Sequence, residues 1–63
     1  MARSTYIYVV VHPGVPSPVG AYTTKHECVY ALSKSDTPPS VLNVLTFRFG
    51  EWHKTQNAEE FMK

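Results

Sequence analysis

The sequence predicts a small α+β domain, one helix packed on a three-stranded, mainly antiparallel sheet in the order β-β-α-β, with room for a short C-terminal helical turn. Three observations carry this. Tyr6 to Val11 is aromatic or β-branched throughout. Thr24-Lys25-His26-Glu27 has the form of a capping box, in which a threonine caps free N–H groups and a glutamate three residues on bonds back. Val41 to Phe49 is a second long strand pattern.

The elements follow in chain order. Thr5 to Val11 reads as a strand with apolar residues on both faces, hence a central one. His12-Pro13-Gly14 ends it, because proline lacks an N–H and glycine accepts positive φ. Residues 13 to 18 read as a turn-rich loop. Val19 to Tyr22 forms a short second strand pairing back on the first. A helix runs from Lys25 to about Ser33, with Cys28, Ala31 and Leu32 on one face and Val29 widening it. A polar, proline-rich loop from Ser33 to Ser40 ends the helix. In the long strand, the face carrying Val41, Asn43, Leu45, Phe47 and Phe49 is expected to meet the core. The expected core is Ile7, Val9, Cys28, Leu32, Leu45 and Phe47. Gly50-Glu51 suits either a hairpin turn into Trp52-His53-Lys54 or a plain exit loop. Asn57 to Glu60 resembles a helix start, with only a frayed turn expected before Lys63.

Residues 1–63 leave room for one core and no second domain. The chain begins at Met1 and ends in charge, so it is expected to be a complete small gene product. A single cysteine, Cys28, excludes a disulfide scaffold within the chain and favours a reducing, cytoplasmic setting. The longest apolar run is too short to span a membrane, and no charged n-region precedes it. Net charge is +1, with only six Lys plus Arg, which gives little for phosphate binding.

Catalytic and metal constellations are sparse. His26-x-Cys28 is not a zinc spacing, and on a helix the two side chains point apart. Cys28 lies on the expected core face, where a thiol is inert. The carboxylates are Glu27, which has a capping role, and Asp36, Glu51, Glu59 and Glu60, which lie in loops or near the end. A chain this short has little room for a water-excluding pocket. The expectation is therefore no enzyme activity, no cofactor and no metal site. Pro13-Gly14-Val15-Pro16 has the P-x-x-P form, but it sits between two strands and reads as a connecting loop.

Arg48, Trp52, His53 and Lys54 form the one local cluster of aromatic and basic residues. Trp and Arg are favoured interface anchors, so these four are the candidate partner-binding residues. The structural alternative is that Trp52 closes the core with its N–H on a backbone carbonyl.

The stretch Pro18-Val19-Gly20-Ala21-Tyr22-Thr23-Thr24, with the following helix and the Val41–Phe49 strand, resembles in layout the small early proteins that bacteriophages use to disable host machinery. In particular it is similar to the inhibitors of bacterial RNA polymerase of T7-like phages. That resemblance implies host takeover by protein binding, in a host cytoplasm. It does not extend to the acidic interaction surface of that family, since this chain is near neutral. Separately, Tyr22 to Cys28 and Asn57 to Phe61 resemble parts of the N-terminal hybrid-binding domain of eukaryotic ribonuclease H. That resemblance implies binding of RNA–DNA hybrid or double-stranded RNA. The basic run of that family's last strand is here Val44-Leu45-Thr46-Phe47-Arg48-Phe49, with a single arginine.

The sequence thus points to a non-enzymatic protein-binding module, expected to be a phage or prophage protein that inhibits a host enzyme or defence system. A minimal nucleic-acid-binding domain is the alternative. A homo-oligomer also fits, because an edge strand and exposed aromatics permit self-pairing.

Overall fold

The computed structural model describes residues 6–63. Thr5, read above as part of the first strand, lies outside the described residues.

Strand β1 (Tyr6–Val11) is central, as its two apolar faces require. A turn reverses the chain after it. The Val15 N–H donates to the His12 carbonyl at 3.0 Å, and Gly14 takes φ 88° beside Pro13. Proline followed by positive-φ glycine is the requirement of a type II turn. Strand β2 (Gly20–Tyr22) then pairs antiparallel with β1, Ala21 opposite Val9.

Helix α1 (Lys25–Lys34) starts where the capping box places it. The Glu27 N–H donates to Thr24 Oγ1 at 3.1 Å, and the Thr24 hydroxyl lies 3.1 Å from the Glu27 carboxylate. A 3-10 turn at Pro39–Val41 follows, so the long strand begins two residues later than the sequence pattern suggests. Strand β3 (Asn43–Arg48) pairs antiparallel with β1 along its whole length.

The hairpin anticipated at Gly50-Glu51 is real, but its turn is Phe49-Gly50, one residue earlier. Both turn residues have positive φ, 54° and 82°, the geometry whose twist matches antiparallel strands. Strand β4 (Glu51–Asn57) makes the sheet four-stranded, in the order β2-β1-β3-β4. Helix α2 (Ala58–Phe61) is one short turn, capped by Asn57.

The core lies on the opposite sheet face from the one expected. Val10, Leu42, Val44 and the small residue Cys28 are buried with Leu32, Ala58 and Phe61. Ile7 is exposed, and Val9, Leu45 and Phe47 are only half-buried. Alternation did not reveal this because β1 and β3 are apolar on both sides. The helix-facing side carries Val10, Leu42 and Val44, which cluster with Cys28 and Leu32 of α1 and with Ala58 and Phe61 of α2. The missing part of the core came from α2. Phe61 is 4% exposed, so the terminal turn is a core element. It is tied down by Asn57, whose Nδ2 donates to the carbonyls of Ser40 at 3.0 Å and Leu42 at 3.3 Å. Its Oδ1 accepts from the Glu59 N–H at 2.9 Å.

Candidate functional site

The β3–β4 hairpin carries all four candidate partner-binding residues. Its register decides where each one goes. Thr46 is opposite Lys54, and Phe47 is opposite Trp52, so His53 is an extra residue on β4, a β-bulge. The bulge divides the cluster. Trp52 joins Phe47 on the sheet face that, among the described residues, no helix covers, together with Ile7, Val9, Leu45 and Thr55. Lys54 lies with Thr46 on the helix-bearing face. His53 meets Tyr6 edge-on, with ring centroids 6.3 Å apart. Arg48 is opposite Tyr6, and its guanidinium sits 5.9 Å from that ring and 5.3 Å from the Phe49 ring.

The open face is apolar at its centre. Trp52 is 62% exposed, so it does not close the core. Its indole N–H donates to Thr55 Oγ1 at 2.9 Å. Ile7, directly across from Phe47, is 42% exposed. Single exposed apolar residues are ordinary, but here they adjoin on one flat sheet face.

The opposite face holds a recess of about 320 Å³ at the end of the sheet that α1 leaves uncovered. Its floor is Thr46, between Tyr8 and Lys54 in the cross-strand row. Tyr6 and His53 form one wall, and Phe61 on α2 the other. Tyr8 packs against Phe61, ring centroids 5.3 Å apart. The sequence suggests little room for such a space because the chain is short; here α2 supplies one of its walls. A shallower groove of about 420 Å³ runs between Tyr22 and the His26–Tyr30 side of α1.

Burial pushes the Cys28 thiol up to about 11, so it is neither thiolate nor nucleophile at neutral pH. The Tyr8 phenol is also raised, chiefly by burial and further by the neighbouring Tyr6 and Cys28. His26 is exposed on α1 while Cys28 faces the core, so the two do not converge. Among the described residues no three metal-ligating side chains come together, and no helix is long and apolar enough to cross a membrane.

The chain matches no protein-family model, no curated protein and no solved structure.

Proposed function

We propose that this protein is a non-enzymatic protein-binding module that docks through its open sheet face. The observation that carries this is Trp52. It is a large aromatic side chain, mostly in solvent, yet fixed by its bond to Thr55 and set opposite Phe47. A pre-oriented tryptophan loses little freedom when it is covered, which is what an interface anchor needs. Phe47, Leu45 and Ile7 extend the apolar ground beside it.

The finer reading, a phage or prophage protein that inhibits a host enzyme or defence system, rests on the layout resemblance of residues 18–49. Nucleic-acid binding is the weaker reading. Arg48 and Lys54 do not share Trp52's face, so the exposed tryptophan has neither of these cations beside it to hold a phosphate backbone.

The test is affinity capture from lysate of the native host with wild-type protein and with Trp52→Ala. Both must first give the same folded spectrum. Proteins retained by wild type and lost with the variant support the reading. Identical capture by both would remove Trp52 from the interface. Salt-sensitive retention of oligonucleotides by wild type would favour the weaker reading instead.

A further inference from the structure

We propose that the recess over Thr46 is a binding site for a small organic anion with a flat ring. The ring would lie against Tyr8 and Phe61, and a carboxylate or phosphate oxygen would accept from the Thr46 hydroxyl.

The first observation is Thr46 itself. It is 3% exposed, and its Oγ1, closed off from solvent, has no hydrogen-bond partner among the described residues, so a ligand reaches it only as the side chains over it give way. Buried polar atoms are nearly always partnered, so an orphan at the floor of a recess marks a place where something else supplies the bond. Valine has the same shape and a strand propensity as good. The hydroxyl therefore adds nothing to the fold that valine would lack.

The second observation is charge. Lys25, Lys54 and Lys63 reach the recess from α1, β4 and the chain beyond α2, with Glu60 the one acidic side chain in the lining. None of the three lysines has an ion-pair partner among the described residues. Lys25 is instead held 5.5 Å from the centre of the Phe61 ring. An anion at the mouth would meet a surplus of positive charge contributed by three separate segments.

The third observation is shape. Aromatic rings form the walls, and the volume of about 320 Å³ is at the small end of ligand sites. It admits one ring with its acidic group. The recess is on the opposite side of the sheet from Trp52, so this site stands independently of the proposed docking face.

Amide chemical shifts report directly on occupancy. Phenyl phosphate, benzoate and inorganic phosphate would each be titrated into the labelled protein. The two ring anions are expected to give saturable shifts centred on Tyr8, Thr46, Lys54 and Phe61, with inorganic phosphate weaker. Thr46→Val should weaken ring-anion binding about tenfold or more, as loss of a hydrogen bond to a charged group does. Thr46→Ser, which keeps the hydroxyl, should retain the binding if Thr46→Val fails to fold. Lys54→Gln should weaken it severalfold. Absence of saturable shifts with either ring anion would overturn the proposal. So would unchanged affinity in a folded Thr46→Val, or binding seen only with oligonucleotides and steeply lost with salt.

Discussion

The indole of Trp52 is tied to Thr55, three residues along the same strand, by a 2.9 Å hydrogen bond across the bulge. An indole mostly in solvent is thereby held in one orientation. This separates its role in binding from its role in folding. Trp52→Ala should destabilise the fold by less than about 1 kcal/mol, the range of a single cross-strand pair. The same change should weaken partner binding by about 2 kcal/mol or more, as loss of a central anchor does. Urea denaturation checks the first number and titration calorimetry with a captured partner the second. Collapse of the fold in this variant would make the tryptophan structural after all.

Thr46 offers the opposite signature. Its buried hydroxyl carries a desolvation cost with no bond in return. Thr46→Val is therefore expected to raise stability by about 1 kcal/mol, within the range for relieving an unsatisfied buried group. The urea midpoint should rise with an unchanged slope. A lower midpoint would mean that the hydroxyl is well satisfied in solution.

Phe61 tests whether the terminal turn is structural. Buried beside Tyr8, Cys28 and Ala58, it should cost roughly 3–5 kcal/mol when truncated to alanine. In a chain this small such a loss approaches the whole stability. Circular dichroism and thermal melting would show it. A small effect would mean that α2 is only a loosely attached tail.

Cys28 gives a pH dependence with a definite sign. In the folded chain burial holds the thiol neutral up to about 11, while in the unfolded chain it ionises near 9.0. Between those values the unfolded state binds fewer protons than the native state, so stability falls as pH rises. The contribution is fully present below about pH 9 and is lost as pH climbs toward 11. The loss is at most about 1.4 kcal/mol per pH unit. Denaturant midpoints across that window should fall for wild type and fall less for Cys28→Ala. Thiol reagents should label Cys28 at neutral pH only as fast as the chain opens.

Much of this architecture was legible in particular residues. Thr24 and Glu27 marked the helix start, because a capping box has a chemical reason for its spacing. Tyr6 to Val11 marked the central strand. The choice of core face was not legible, since Ile7 and Val9 are as apolar as Tyr8 and Val10 and only the packed helices decide between them. The weight of α2 was hidden too. It depends on Asn57 reaching back to Ser40 and Leu42, a contact across some seventeen residues that no local pattern announces. The candidate cluster is one stretch of sequence but is divided in space, because a bulge adds one residue and breaks the simple two-residue alternation. Thr46 gave no signal at all. A threonine in a strand is ordinary until its burial is known.

The bulge at His53 has a consequence for how copies of this chain behave in a crowd. Strand β4 is an outer strand, seven residues long, with its far side unpaired among the described residues. Such a border invites another chain to add on, and then another, into a ribbon. The other border, β2, has only three residues and follows Pro16 and Pro18, so it offers little. On β4 the protection falls to the extra residue, which twists the strand, and to Lys54 beside it. Deleting His53 would leave Trp52 opposite Phe47 and Lys54 opposite Thr46, with the same core, but with a straighter border. Light scattering during storage should then show a well-folded protein that slowly polymerises, its solubility having depended on a single surplus residue.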